Sequence, residues 1–309
     1  MANREKILIR ASWAGIWGNA VLSILKIVIG IISGSMAVLG DGIDSATDVA
    51  TSFITLFTAW IINKPPSAKY AYGYEKADNI ATKLLSFIIF FAGLQMLIST
   101  IKRLFDAEQL QMPSILAIYI TVFSILGKLC LAYYIGRQGK KTNSSMLIAN
   151  AKNMQNDVLI SSGVLVGLLF TFLLEIPILD TITGLCISIY IIKVAFDIFM
   201  EANVVLMDGV KDPSVYNKIF EAVEKVKGAS NPHRVRSRLI GNMYMIALDI
   251  EVDGNLPLKE AHDIAHAVEN SIEDTIENVY DIIVHVEPKG QAHCKEKFGI
   301  DKNMISEKE

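Results

Sequence analysis

The chain has 309 residues, 52% of them hydrophobic, with a mean hydropathy of +0.39, which argues against a soluble enzyme of this length. Its net charge of −3, without a basic stripe, argues against nucleic-acid binding. Three cysteines without CxxC spacing indicate neither a disulfide framework nor a zinc cluster.

Six apolar runs can each supply the roughly 20 helical residues that a membrane span needs. They cover residues 8–32, 36–62, 78–102, 113–136, 146–174 and 177–200. The first run follows a basic N-terminus but lacks an A-x-A cleavage site, which favours a membrane span over a signal peptide. We therefore predict a six-helix transmembrane domain over residues 1–207.

Lysine and arginine placement predicts the orientation of these spans. The basic residues group before span one and in the loops after spans two and four: Arg4, Lys6, Arg10, Lys64, Lys69, Lys76, Arg137, Lys140 and Lys141. The alternate loops carry little beyond Lys102 and Arg103. The positive-inside rule then predicts a multi-pass protein of the cell membrane with both termini in the cytoplasm.

From residue 208 the pattern changes to that of a small soluble domain. Asp212-Pro213 opens a helix, residues 233–240 and 244–252 predict strands, residues 258–276 a second helix, and residues 280–286 a third strand. This α-β-β-α-β order predicts an α+β domain over residues 208–290, with helices on one face of a sheet. Residues 291–309 are charged, and we expect a flexible tail.

Two apolar runs carry polar pairs that a membrane helix ordinarily lacks. Asp44 and Asp48 lie in the second run, and Asn153 and Asp157 in the fifth. Each pair is four residues apart, so both members project from one helical face. An ionised carboxylate at the bilayer centre costs about 2.5–3.5 kcal/mol, so something must compensate it. A divalent cation is the simplest candidate.

The donor atoms of this constellation are oxygens, which suit hard ions such as Mg²⁺, Ca²⁺ and Mn²⁺ better than Zn²⁺. Asp41, on the same face as Asp44, and Asn19 in the first run are candidates to orient a ligand or to hold a water. Carboxylates lose protons when they bind metal. A site facing each side in turn would thus exchange a cation for protons.

The alternative is that these polar groups only link helices to one another, as Asn, Ser and Thr often do in membranes. Neutralisation by Lys83, Lys128 or Lys193 is a further alternative. We expect most of these lysines to extend toward the membrane surface instead.

Four motifs resemble the cation diffusion facilitator family of divalent-metal transporters. They are D-G-I-D-S-A-T-D at 41–48, N-M-Q-N-D at 153–157, Y-G-Y-E-K-A-D at 72–78 and L-M-D at 206–208. The resemblance covers nearly the whole chain. It implies six spans with a ferredoxin-like cytoplasmic domain, and homodimers in the lipid bilayer that export metal against protons by alternating access. Zinc members typically have His where this chain has Asn153, and Asn there resembles the bacterial manganese exporters.

The resemblance also implies sites in the cytoplasmic domain. The positions that bind regulatory metal ions in zinc members match His233, Asp249, His262, His285 and Glu287. Surface histidines in a dimer contact are the alternative. Lys76 and Asp208 match a salt bridge that links the two protomers at the membrane boundary.

The leading hypothesis is a manganese(II)/proton antiporter that exports Mn²⁺ from the cytoplasm. The same transporter with Zn²⁺, Fe²⁺, Co²⁺ or Cd²⁺ as its ion is the first alternative, and a membrane metal sensor that does not transport is the second. The sequence has no Ser-His-Asp, HExxH or phosphate-loop pattern, so an enzyme is not predicted.

Overall fold

A computed structural model of the protein describes residues 2–106, 110–142, 144–290 and 298–305. In this part of the chain, six helices are long and apolar enough to cross a membrane, which confirms the predicted architecture. They are α1 (Ala2–Ser33), α2 (Met36–Ile62), α3 (Lys76–Phe105), α4 (Leu116–Thr142), α5 (Ser145–Leu174) and α6 (Ile178–Leu206). The chain divides into two compact units, one of residues 1–59 and 81–199, the other of 60–80 and 200–309.

The first unit has an apolar exterior and buries charged and polar side chains among its apolar core residues. Trp17, Phe91 and Leu159 are exposed by 61%, 64% and 72% of their surface. By contrast, Lys26 and Lys128 are fully buried, together with several Ser and Thr side chains. This pattern suits a protein whose outer solvent is lipid, because lipid cannot solvate polar groups and they must find partners inside the bundle.

Two glycines bring α1 and α2 into backbone contact. A Cβ atom on Gly30 would lie 2.8 Å from the backbone nitrogen of Leu39, and one on Gly42 would lie 2.9 Å from that of Ile27. A larger residue would push the helices apart at either position, so small residues permit this close packing. The contact fixes the register in which α1 faces α2.

Asp180, near the start of α6, caps the start of α2. Its carboxylate accepts hydrogen bonds from the Ser35 hydroxyl (2.5 Å), the Met36 amide (2.8 Å) and the Ala37 amide (3.4 Å). These amides belong to the first turn of α2, where no carbonyl precedes them. Asp180 is 1% exposed, so α6 supplies the cap of α2 from inside the protein.

α4 and α5 form a tight antiparallel pair. A Cβ atom on Gly139 would lie 3.1 Å from the backbone nitrogen of Ile148. The Ser144 side chain accepts a hydrogen bond from the Leu147 amide and so caps α5. Buried apolar residues pack α1, α4 and α5 together: Ala11, Ala132, Ile135, Leu147, Ala151 and Met154. This packing sets α4 beside the acidic face of α5.

The second unit contains the predicted α+β domain. Its elements are α7 (Ser214–Glu224), β1 (Ser230–Ile240), β2 (Met243–Val252), α8 (Leu258–Thr275) and β3 (Val279–Pro288). β2 is the central strand, antiparallel to β1 and parallel to β3. Ile246, Leu248 and Ile250 alternate along β2 and pack in one core with Phe220 of α7 and Val268 of α8. Both helices therefore cover one face of the sheet, as the order of the elements predicted.

The element ends differ slightly from prediction because side chains reshape them. α7 begins at Ser214, whose amide donates to Asp212 at 3.0 Å and whose hydroxyl donates at 2.7 Å. These hydrogen bonds hold the pKa of Asp212 below its ordinary value. β1 starts three residues before the predicted position, and Asn231 and Arg234 there have positive φ angles of 46° and 51°.

Part of the predicted flexible tail packs against β1. Ile300 exchanges two backbone hydrogen bonds with Val235, of 2.9 Å and 3.0 Å, and Asp301 accepts one from the Arg234 amide. A short helix, α9 (Lys302–Ile305), follows. The local sequence does not reveal these contacts because their partners lie about 65 residues earlier in the chain. The rest of the predicted tail, residues 291–297 and 306–309, lies outside the described residues.

Candidate metal centres

The acids of α2 and α5 converge inside the first unit. Asp44 and Asp48 lie one turn apart on α2, partly buried, and Asp157 is buried on α5. The carboxyl groups of Asp48 and Asp157 lie close enough to influence each other through a hydrogen bond and through their charges. Asp44 is close enough to Asp157 to interact with it electrostatically. Three of the four predicted ligands therefore face a common centre.

Asn153, the fourth predicted ligand, stands apart from the three acids. It lies one turn before Asp157 on α5, and its side chain is exposed. Among the described residues, the structure gives it no hydrogen bond to Asp44, Asp48 or Asp157. A ligand role for Asn153 therefore stays a prediction.

A buried lysine pairs with Asp157. The Nζ atom of Lys128, on α4, lies 3.0 Å from the Oδ2 atom of Asp157 and donates a hydrogen bond to it. Lys128, which is 1% exposed, is an exception to the expectation that most of the candidate lysines extend to the membrane surface. The reason is electrostatic: a carboxylate inside the bundle compensates the ammonium charge where lipid would not.

A second buried lysine organises a polar network next to the acids. Lys26 of α1 lies 2.7 Å from the Oδ2 atom of Asp41 and donates to the Ser161 hydroxyl at 2.9 Å. Ser161 donates in turn to the Oδ1 atom of Asp41 at 2.9 Å. Lys26, Asp41 and Ser161 are all buried. Asp41, a predicted orienting group, is therefore engaged with a lysine rather than with a ligand residue.

Asn19, the other predicted orienting residue, shares a helical face with Ser23 and Lys26. It is 8% exposed, and its Oδ1 atom accepts no hydrogen bond from the residues that the structure describes. Ser23 donates to the carbonyl of Gly42 at 3.0 Å, which directs this face of α1 toward α2. A buried acceptor without a donor is costly, so Asn19 is suited to hold a water or a cation.

Donor chemistry limits what this interior binds. The groups that line it are carboxylates, hydroxyls, an amide and two ammonium groups. The cysteines of the membrane helices that the structure describes, Cys130 and Cys186, are exposed on the outside of the bundle. Oxygen donors without thiolate or imidazole suit a hard divalent cation.

A second cluster lies on the sheet of the cytoplasmic domain. His233 of β1, Asp249 of β2 and Glu287 of β3 offer ligand atoms that all lie within 4.8 Å of one another. Among the described residues it is the only group of three His, Cys, Asp or Glu side chains this compact, and the membrane acids are spaced more widely. Strand pairing explains it, because His233 lies opposite Asp249 in the β1–β2 register.

Arg234 occupies part of this cluster. Its guanidinium forms an ion pair with Asp249, whose side chain is 3% exposed. His233 lies 3.3 Å from Glu287, between the Nε2 and Oε2 atoms. The positive φ of Arg234 places successive side chains of β1 on the same centre, which strict alternation would forbid. Strict alternation along β1 therefore gives no signal for Arg234 at this cluster.

Two predicted histidines lie at the margin of the cluster or away from it. His285 approaches Glu287 at 3.5 Å but is 63% exposed. His262 packs its ring on His266 of the same helix, with ring centroids 4.4 Å apart. α8 covers the face of the sheet that carries Ile246 and Leu248, whereas Asp249 projects from the other face. Within one chain the structure thus does not bring His262 to Asp249.

Lys76 and Asp208 form an ion pair within one chain, with 2.6 Å between the Nζ and Oδ1 atoms. Both side chains are substantially exposed, and Arg238 lies 3.9 Å from the other carboxylate oxygen of Asp208. That this pair also links two protomers stays a prediction.

Two family descriptions match consecutive parts of the chain. "Cation efflux transmembrane domain" matches residues 12–207, and "Cation efflux protein, cytoplasmic domain" matches residues 212–289. The chain belongs to the cation efflux family. It is a multi-pass metal efflux transporter and not an enzyme, as its motifs predicted.

Relatives of this cation efflux protein include two manganese efflux proteins of Bacillus subtilis (strain 168). The manganese efflux system protein MneS is 32% identical over 88% of this chain and 92% of its own length. The manganese efflux system protein MneP is 27% identical over 93% of this chain and 98% of its own length. The resemblance to manganese exporters is thereby confirmed.

Among solved structures, the metal-bound C-terminal domain of the CzcD transporter from Thermotoga maritima is 36% identical. The match covers 26% of this chain and 93% of that domain, with a TM-score of 0.25.

Proposed function

We propose that this cation efflux protein exports Mn²⁺ from the cytoplasm through a site formed by Asp44, Asp48, Asp157 and Asn153. The observation that carries the proposal is the convergence of the α2 and α5 acids inside a bundle with an apolar exterior. Hard oxygen donors suit Mn²⁺, and two relatives are manganese efflux proteins by name. Asn153 completes the site when the ion draws its amide oxygen inward.

Charge balance supports exchange of the metal for protons. With Asp41, Asp44, Asp48 and Asp157 ionised, the ammonium groups of Lys26 and Lys128 leave two negative charges uncompensated. One divalent cation neutralises them, and in its absence protons bound to carboxylates serve the same purpose. A site that opens alternately to each side would then operate as an antiporter without another energy source.

We further propose a homodimer in the cell membrane with both termini in the cytoplasm. The basic residues at the start of α1, between α2 and α3, and at the end of α4 support this orientation. Residues 1–207 carry transport, and residues 208–290 carry regulation in this arrangement. Metal at His233, Asp249 and Glu287 would displace Arg234 from Asp249 and stabilise one arrangement of the two cytoplasmic domains.

A metal sensor that does not transport is the second candidate. It is favoured by the finding that the most compact group of ligand atoms is the cytoplasmic cluster and not the membrane acids. The membrane carboxylates distinguish the two candidates, because a sensor does not need acids inside a lipid-facing bundle.

Uptake of metal into inverted membrane vesicles tests the proposal. We expect saturable Mn²⁺ uptake coupled to proton release, loss of uptake in Asp44→Asn and Asp157→Ala, and no loss in the exposed-pair variant Lys211→Ala. Saturable Zn²⁺ uptake without Mn²⁺ uptake would refute the manganese assignment. Absence of all uptake, with metal-dependent changes confined to the cytoplasmic domain, would favour the sensor.

A further inference from the structure

Lys128 stands where an incoming cation would have to bind. Its Nζ atom lies 3.0 Å from the Oδ2 atom of Asp157, a proposed ligand of the transported ion. Both side chains are shielded from solvent, with exposures of 1% and 10%. A divalent cation that uses this oxygen must therefore take the place of the ammonium group.

The helix packing keeps this ammonium close to its partner. A Cβ atom on Gly136 of α4 would lie 3.4 Å from that of Ala151 on α5, and one on Gly139 would lie 3.1 Å from the Ile148 amide nitrogen. α4 and α5 are thus fixed against each other on the cytoplasmic side of Lys128 in the proposed orientation. A group tethered in this way acts at an effective concentration on the order of millimolar, comparable to that of an abundant free cation.

The two buried lysines differ in how they are held. Lys26 contacts Asp41, Ser161 and Ser45, three groups on two helices. For Lys128 the described part of the chain supplies one hydrogen-bond partner, Asp157. An ammonium group on a flexible four-carbon stem that makes one hydrogen bond can be displaced by breaking that bond alone, whereas one held by a network must break several. Lys128 is therefore the displaceable one of the two.

We propose that Lys128 is a tethered competitor of the transported metal: its ammonium group holds Asp157 until a divalent cation displaces it. The inference rests on the proposed function, because it takes Asp157 as a ligand. The competition sets the affinity of the site and rejects cations that bind oxygen ligands weakly.

The size of the change in apparent Kd depends on the fraction of time for which Asp157 is free of the ammonium group. If the ammonium occupies Asp157 for nine-tenths of the time, the apparent Kd of the metal rises about tenfold above its intrinsic value. Mg²⁺, which gives up its water shell reluctantly, is then kept from saturating the site at its cytosolic concentration. A metal that binds more tightly still displaces the lysine.

The test is Mn²⁺ binding to the purified full-length protein by titration calorimetry, in a His233→Ala background that removes a donor from the cytoplasmic cluster. We expect Lys128→Met to tighten Mn²⁺ binding by about tenfold or more. Lys83→Met is the matched control, since it removes the same charge from α3, where the ammonium lies over the Phe199 ring. We expect no comparable change in this control. Unchanged or weaker binding in Lys128→Met overturns the proposal.

A second readout separates competition from a structural role of Lys128. Millimolar Mg²⁺ should inhibit Mn²⁺ uptake by Lys128→Met vesicles several-fold more than uptake by wild-type vesicles. A residue that only stabilises the fold would leave this ratio unchanged, and an unchanged ratio counts against the proposal. Should Lys128→Met not fold, Lys128→Arg serves instead. A guanidinium binds a carboxylate through two hydrogen bonds, so this variant should weaken Mn²⁺ binding; unchanged or tighter binding overturns the proposal.

Asp44→Asn distinguishes this inference from the proposed function. If Asp44→Asn leaves Mn²⁺ binding unchanged, the membrane acids are not the site, and both proposals fail. If Asp44→Asn abolishes binding while Lys128→Met does not tighten it, the transport site stands and only the competitor role fails.

Discussion

Lys26 and Asp41 form a fully buried ion pair, with 2.7 Å between the Nζ atom of one and the Oδ2 atom of the other. The pair joins α1 to α2 one turn from Asp44, and Ser161 extends it to α5. Three helices of the bundle are thus linked by one polar network. Its members bind one another, next to the acids of α2 and α5.

We expect Asp41→Asn to destabilise the protein, because it leaves the Lys26 ammonium buried without its charge partner. The loss should be about 3–5 kcal/mol, as for other buried pairs broken on one side. Thermal unfolding of the detergent-solubilised protein measures it. Asp208→Asn, which breaks the exposed pair with Lys76, is the control and should cost about 0–1 kcal/mol. Equal effects of the two substitutions would contradict this view of the network.

Asn153→His should shift transport toward zinc. An imidazole adds the nitrogen donor that Zn²⁺ prefers, one turn from Asp157. The ratio of Zn²⁺ to Mn²⁺ uptake in inverted vesicles should rise by about tenfold, the effect of roughly 1.4 kcal/mol of differential binding. Gln155→His, on the same helix and exposed, is the control. An unchanged ratio in Asn153→His would remove this residue from the set of selectivity ligands.

The cytoplasmic cluster should respond to metal through His233 and not through His262 of the same chain. Bound Mn²⁺ would protect β1–β3, since a ligand at 100 times its Kd stabilises the folded state by about 2.7 kcal/mol. Hydrogen exchange of the full protein, followed by mass spectrometry, should show this protection in wild type and in His262→Ala. His233→Ala should abolish it. Protection lost in His262→Ala alone would show that the ion binds elsewhere, across the dimer.

Asp180→Ala should destabilise α2 at its N-terminus. The substitution removes the acceptor for the Ser35 hydroxyl and for the Met36 and Ala37 amides, a cap worth about 1–2 kcal/mol. Asp180→Asn keeps an acceptor oxygen and should cost less. The midpoint of thermal unfolding should be highest for wild type, lower for Asp180→Asn and lowest for Asp180→Ala. The same midpoint for wild type and Asp180→Ala would refute the cap.

Local signals in the sequence sufficed to predict the helices, the strands and the acid pair on one face of α2. Hydropathy marks each span, alternation marks β2, and the four-residue spacing places Asp44 beside Asp48 on one face. The family motifs added the cytoplasmic candidates, of which His233, Asp249 and Glu287 come together in the structure.

The partners of the buried charges could not be predicted in the same way. Whether Lys128 points to lipid, to the membrane surface or to Asp157 depends on how α4 is rotated, and hydropathy does not determine that rotation. The partners of Asp180 could not be predicted either, because they lie about 145 residues earlier in the chain. Arg234 lies in the cytoplasmic cluster because its backbone has a positive φ, and strict strand alternation does not predict that irregularity.

The backbone contact at Gly30 and Gly42 bears on leakage. With α1 and α2 this close, neither a lipid tail nor a file of waters fits between them. At these two points the helices leave no space for a file of waters. A water-filled route across the membrane would therefore have to follow other faces of α1 and α2.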